Sequence, residues 1–103
     1  RWEFSLLLLD TRNRINKSGG IFQGGLASAV IHPRDIFREA VKANAASIVL
    51  VHNHPSGDSA PSRADVESTR KFTKLGNMMG IPVLDHIIVG AESSSSFKRL
   101  GLF

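Results

Sequence analysis

The stretch Ser47-Ile48-Val49-Leu50-Val51-His52-Asn53-His54-Pro55-Ser56-Gly57-Asp58-Ser59-Ala60-Pro61-Ser62-Arg63-Ala64-Asp65 decides how this chain is read. From Ile48 to Val51 it is apolar and mostly β-branched over strand length, as expected of a central strand covered on both sides. The strand end delivers His52. A loop of prolines, serines and glycine follows, and Ser62 begins a helix in which Val66, Thr69, Phe72, Thr73 and Met79 keep helical spacing until Gly80 closes it.

Working outward, Phe4 to Leu9 is too short and too apolar for a surface helix and runs into the turn formers Asp10 to Asn13, so it reads as a buried strand. A second strand begins near Ile15, and Gly19-Gly20 and Gly24-Gly25 predict bulges or close backbone contacts within that strand pair. Pro33 suits a first helical position, and Ile36, Phe37, Ala40 and Val41 share one face of a helix predicted over Pro33 to Ala45. Ile81 to Leu84 and Ile87 to Val89 read as further strand, and Ser93 to Ser96 as an exposed hairpin loop. Strand, helix, strand, helix, strand predicts an α/β domain over residues 1–103, a mixed sheet with helices packed on its faces.

Composition narrows the chemistry. The 103 residues contain no cysteine, so disulfides and thiolate metal sites are excluded and any transition metal must be held by imidazole and carboxylate. That also fits a reducing, cytoplasmic setting. No segment approaches the ~18 uninterrupted apolar residues of a membrane span. The chain opens on Arg1-Trp2-Glu3-Phe4 and enters a strand almost at once, as a domain cut from a longer protein would. The excess of 13 Lys and Arg over 9 Asp and Glu favours encounter with polyanions, although simple solubility explains it as well.

Residues two apart in an extended strand end point to one side, so His52 and His54 can converge on one point, and Asp65 can supply a third ligand. Imidazole nitrogens reach zinc at about 2.0 to 2.1 Å. Two histidines and one aspartate leave a tetrahedral ion one position open for water. Ser62-Arg63-Ala64-Asp65 is equally a variant capping box, in which Asp65 need only be acidic. The two roles are compatible. A lone His-x-His is more often surface or core histidine than a ligand pair; the full spacing is what distinguishes this one.

His-x-His, seven residues, then Ser-x-x-Asp resembles the metal motif of the JAMM or MPN+ metalloproteases. Leu9 to Arg14, His32 to Ala40, His52 to Gly57 and Asp85 to Ile88 further resemble the RadC family, and together they span nearly the whole chain. The resemblance implies an MPN-like, three-layer fold, zinc held by His52, His54 and Asp65, and a catalytic Ser62 that hydrogen-bonds near the reacting oxygen. It also implies an upstream glutamate that shuttles the proton of the zinc-bound water. This chain has no Asp or Glu between Asp10 and Asp35, and the expected place, near Gly20, is glycine. Glu3 could substitute only if the first strand passed the zinc, and Asp58 only if its loop curled inward.

Three functions compete at this level. The first is a zinc metallohydrolase acting on an amide or isopeptide bond of a peptide or protein. The second, which the family resemblance implies, is a DNA-repair binding module, with DNA reached mainly through regions outside this domain; the third is a zinc-stabilised scaffold. With no tyrosine, one tryptophan and six phenylalanines, stacking platforms for single strands are not evident. Zinc deaminases are excluded by the lack of cysteine, and His-Glu-x-x-His is absent. Asp85-His86 could support a metal ligand from behind, but reads more simply as a turn aspartate beside a strand histidine. His32 reads as a residue before a helix start. Arg63, Arg70, Lys71 and Lys74 could form a phosphate-binding stripe, whereas a Glu67–Lys71 pair would make that face an ordinary solvated one.

Overall fold

The computed structural model describes residues 2–24, 31–54 and 57–103, of which 2 and 17–24 are described as backbone only. Its elements are β1 (Trp2–Leu9), β2 (Ile15–Gly24), α1 (Pro33–Lys42), β3 (Ser47–Asn53), α2 (Arg63–Met79), β4 (Val83–Val89), β5 (Ser94–Ser96) and α3 (Phe97–Leu100). The strands form one mixed sheet in the order β2-β1-β3-β4-β5. β1 is antiparallel to β2 and β3, β3 is parallel to β4, and β4 is antiparallel to β5.

It follows that β2, β3 and β4 point the same way. The chain steps over β1 through α1 into β3, then through α2 into β4. Crossovers of one hand that travel in one direction leave their helices on one face of the sheet. The packing agrees: Ile36, Phe37 and Ala40 of α1 and Phe72 of α2 share one buried cluster with Phe4, Leu6 and Leu8 of β1 and Ile48 and Leu50 of β3. Strand alternation selects these residues, with Phe4 opposite His52, Leu6 opposite Leu50 and Leu8 opposite Ile48. The other face carries the half-buried Ser5, Leu7, Val49, Val51 and Ile87. The α/β class and mixed sheet expected from the sequence are found. The three-layer expectation takes an uneven form, with both long helices on one face.

Several boundaries differ from expectation for local reasons. α1 ends at Lys42 rather than Ala45, because Asn44 adopts the left-handed conformation (φ 52°) and the Ala45 N–H turns back to Ala40 O at 2.9 Å. Val41 and Met79, expected on core faces, are exposed. The segment expected as two strands around a turn at Asp85 is the single strand β4, and the expected Ser93–Ser96 loop supplies β5. Asp85 explains both: its carboxylate accepts from Ser96 Oγ at 2.6 Å and from the Lys98 N–H at 3.0 Å, stitching β5 and the start of α3 to β4. The expected bulge in the first strand pair is present, with Gly20 the extra residue between the Ser5–Ile21 and Leu6–Gly19 pairs.

At Gly76 helix α2 meets the segment leading into β4, and an added Cβ would stand 2.5 Å from Ile81 O. Alanine in a helix interior ordinarily gains about 0.5–1 kcal/mol over glycine. Here the backbone clash should outweigh that gain, and Gly76→Ala is expected to lose about 1–3 kcal/mol of stability, read as a lowered urea midpoint at unchanged m-value.

Candidate metal centre

The inner face of β3 ends in His52, which is buried and stacks on Phe4 of the neighbouring strand, ring centroids 5.7 Å apart. His54 lies just past the strand, yet its N–H still donates to Val89 O at 3.1 Å, so the ladder to β4 fixes its backbone. Asp65 sits in the first turn of α2. The capping box is formed: Ser62 Oγ accepts the Asp65 N–H at 3.0 Å, and Asp65 Oδ2 accepts the Ser62 N–H at 2.8 Å. The same carboxylate places Oδ1 3.3 Å from His52 Nε2 and Oδ2 2.9 Å from His54 Nε2. Cap and ligand cluster therefore coexist, with one donor atom from each of His52, His54 and Asp65 within 4.8 Å of the others.

Proton positions follow from the partners. His54 Nδ1 lies 2.7 Å from Asp58 O, a carbonyl that can only accept, so Nδ1 carries the hydrogen. Thr69 Oγ1 donates its one hydrogen to Asp65 O at 2.7 Å and must accept from His86 Nδ1, 2.5 Å away. Burial first, and the neighbouring His52 second, push the His86 pKa down from 6.5 to about 3, so this imidazole is neutral. Its Nε2 is then an acceptor and takes the His52 Nδ1–H at 2.7 Å. Both ligand histidines are left with Nε2 lone pairs aimed at the Asp65 carboxylate.

That carboxylate is ionised. Burial raises its pKa, but a proton shared with His52 Nε2, where one is present, and the hydrogen bonds from the Ser62 backbone and hydroxyl outweigh burial and hold it well below the ordinary range. With both imidazoles neutral, three acceptors converge with no hydrogen among them, an arrangement that repels unless a cation or an added proton sits between. The donor set fits a metal ion.

The structure brings together His52, His54 and Asp65, as expected, and places Ser62 at the helix cap beside them. It separates Asp85 from His86. Asp85 faces α3, while His86 is the buried partner of His52, stacked on Phe97 at 4.6 Å. The simpler expectation for that pair is thereby corrected, since inward alternation along β4, not a turn, determines where each side chain goes. Thr69 was read only as a core position. Its fourth-residue spacing from Asp65 was the available signal for the bond to that carbonyl. His32 caps α1 without a side-chain hydrogen bond, and Glu67 pairs with Arg63 at 3.4 Å rather than with Lys71. Neither proposed stand-in for the missing glutamate belongs to the converging group of His52, His54 and Asp65. Strand alternation turns Glu3 away from the face that carries Phe4 and His52, and the Asp58 carboxylate accepts the Ala60 N–H at 2.9 Å. No helix among the described residues is long and apolar enough to cross a membrane.

Comparison with known proteins places this geometry in context. A family model described as RadC-like JAB domain matches residues 2–102. A UPF0758 protein of Clostridium perfringens is 53% identical over 94 residues, 91% of this chain and 41% of the relative. One of Geobacter sulfurreducens is 50% identical over 99 residues, covering 96% and 43%. UPF0758 protein YsxA of Bacillus subtilis is 46% identical over 98 residues, covering 95% and 42%. The chain spans less than half the length of these relatives.

The buried neutral His86 makes stability depend on pH. Its pKa is lowered on folding from 6.5 to about 3, so the unfolded chain binds the extra proton between those values. The contribution is fully present above pH 6.5 and is lost as pH falls toward 3. In metal-free protein, denaturant titrations across this window should show a loss on the order of 2–5 kcal/mol, and His86→Gln should flatten it. An unchanged pH slope in the variant would rule out His86 as the source.

Proposed function

This chain belongs to the RadC-like JAB domain family, and on that premise we propose that it is the zinc-binding unit of a metallohydrolase acting on amide or isopeptide bonds of a peptide or protein substrate in the cytoplasm. The observation that carries the proposal is the convergence of two imidazole lone pairs on one ionised carboxylate, with both Nδ1 hydrogens committed elsewhere. Ligands at about 2.0–2.1 Å in a tetrahedron lie roughly 3.3 Å apart. One donor atom from each of the three residues lies within 4.8 Å of the others, a wider grouping than that spacing, with Oδ1 of Asp65 3.3 Å from His52 and Oδ2 2.9 Å from His54. Zinc supplies, when bound, a Lewis acid for a carbonyl oxygen and a way to ionise water near neutral pH.

The chain's own residues orient and neutralise. His52 and His54 present Nε2, and Asp65 supplies the compensating negative charge. The Ser62 oxygen accepts the Asp65 N–H while its O–H serves the Asp65 carboxylate, and rotating that O–H would let it donate toward an oxygen that gains charge during reaction. Proton transfer is the weak part of the site. A general base contributes about 10²–10⁴ in rate, and neither Glu3 nor Asp58 is placed to act as one, so turnover by this chain should be slow.

A second function has its own observation. With Glu67 engaged by Arg63, the exposed Arg70, Lys71 and Lys74 of α2 have no ion-pair partner among the described residues. Such a stripe suits a nucleic-acid backbone, with zinc then structural and further DNA contacts supplied by regions beyond this domain.

Elemental analysis should find about one zinc per chain in the parent and close to none in His54→Ala, since one tetrahedral site needs all three ligands. No zinc in either, even after zinc is offered back, would sink the metallohydrolase. With zinc bound, peptide and isopeptide substrate libraries should be cleaved slowly, chelator should abolish cleavage, and Ser62→Ala should reduce it about 10²–10³-fold at unchanged zinc content. Zinc uptake without cleavage, joined to salt-dependent DNA affinity that survives His54→Ala, would favour the second function.

A further inference from the structure

One backbone carbonyl orients His54. Its Nδ1–H donates to Asp58 O at 2.7 Å, and this bond directs Nε2 toward Asp65. The residues on either side of Asp58 are both tied to the turn between β4 and β5. Before it, Gly57 O accepts the Ala91 N–H at 2.9 Å. After it, Ser59 Oγ lies 2.8 Å from Ser93 Oγ and accepts a longer bond from Ser95 Oγ at 3.4 Å. Ser59 is almost fully buried.

The two segments approach so closely that only glycine fits at the contact. A Cβ on Gly90 would stand 2.4 Å from Gly57 O and 3.0 Å from Ser59 N, so a side chain there must displace backbone on both sides of Asp58. The Gly90 N–H donates to Ser93 O at 2.8 Å, which gives the turn its shape and brings Ser93 to Ser59. The Asp58 carboxylate, bonded to the Ala60 N–H, shapes the chain leaving the carbonyl. None of Gly57, Ser59, Gly90 or Ser93 belongs to the hydrophobic core cluster. Their contacts act on the loop that carries the Asp58 carbonyl.

We propose that the β4–β5 turn positions His54: Gly90, Ser59 and Ser93 hold the Gly57–Ser59 segment so that Asp58 O fixes the Nδ1-protonated tautomer and leaves Nε2 for the cation. This rests on the metal-centre reading above. Gly90, Ser59 and Ser93 are positioning residues, two bonds or more removed from the ion. Disturbing such outer partners of a metal-binding histidine costs about 10–100-fold in metal affinity.

The test compares the parent with Gly90→Ala, with the double variant Ser59→Ala/Ser93→Ala, and with Ile36→Val, a core truncation on α1 remote from the loop. Two quantities are read: the zinc dissociation constant by competition with a chromophoric chelator, and the His54 tautomer in metal-free protein near pH 8 from its ring ¹⁵N shifts. Both loop variants are expected to bind zinc about 10–100-fold more weakly and to lose the uniform Nδ1–H signature of His54. Ile36→Val should lower the thermal midpoint and move neither quantity. Folded loop variants with parental zinc affinity and an unaltered His54 tautomer would overturn the proposal; should Gly90→Ala fail to fold, the double serine variant decides. A parent that takes up no zinc sinks the metal centre and the claim on affinity with it. The tautomer spectra need no metal, so they separate that failure from failure of the clamp.

Discussion

The Asp65 carboxylate belongs to two structures at once, and the rest of the domain is arranged around that sharing. One of its oxygens accepts the Ser62 N–H and faces His54; the other faces His52. A helix cap contributes only about 0.5–2 kcal/mol, small against the 10–16 kcal/mol that a structural zinc can supply on folding. Its value here is geometric. The box fixes the side-chain direction of Asp65 from its own helix start, so the carboxylate is held in place by the chain alone. What remains for the fold is to bring the end of β3 to that point, and the β3-α2-β4 crossover does so.

Behind the ligands lies a closed circuit of polar groups inside apolar surroundings. Asp65 Oδ1 faces His52, His52 donates to His86, His86 donates to Thr69, and Thr69 donates to the backbone carbonyl of Asp65 itself. Phe4 stacks on His52 and Phe97 on His86, so the pair of rings is enclosed by apolar aromatics. A buried imidazole with an open valence would be costly, and each link in this circuit leaves the next only one tautomer. Because α3 carries Phe97 and is pinned by Asp85, this short helix packs against the imidazole that holds His52.

How much of this was legible follows from the sequence distance of each contact. His52, His54, Ser62 and Asp65 lie within fourteen residues, so alternation and capping chemistry allow them to meet, and the resemblance of their full spacing to a metal motif singles them out. His86 is separated from His52 by a crossover, and no local pattern distinguishes a histidine that points inward from one that points out. β5 was missed because four serines have no periodicity; the unpaired edge of β4 and the Asp85 carboxylate recruit them. The common face of the helices depends on strand order, which a linear succession of strands and helices leaves open. Val41 and Met79 are exposed for a related reason: helices packed on one face only bury a narrower stripe than the apolar spacing allows.

The absence of a second carboxylate shapes what the centre is good for. A divalent cation held by two neutral imidazoles and one carboxylate keeps a net positive charge, which favours a carbonyl or carboxylate oxygen as the remaining ligand. Gly20 is the extra residue of the β-bulge on β2, and β2 lies two strands from β3, roughly 10 Å at ordinary strand spacing. A proton acceptor from that side would have to reach across β1 and past Phe4, and glycine has nothing to reach with. Attraction for an electron-rich oxygen and transfer of a proton are thus separable properties of this fold. On the metal-centre proposal the residues that would secure the first are present, while the second has no assigned side chain, so ligand affinity would report on the site more faithfully than turnover.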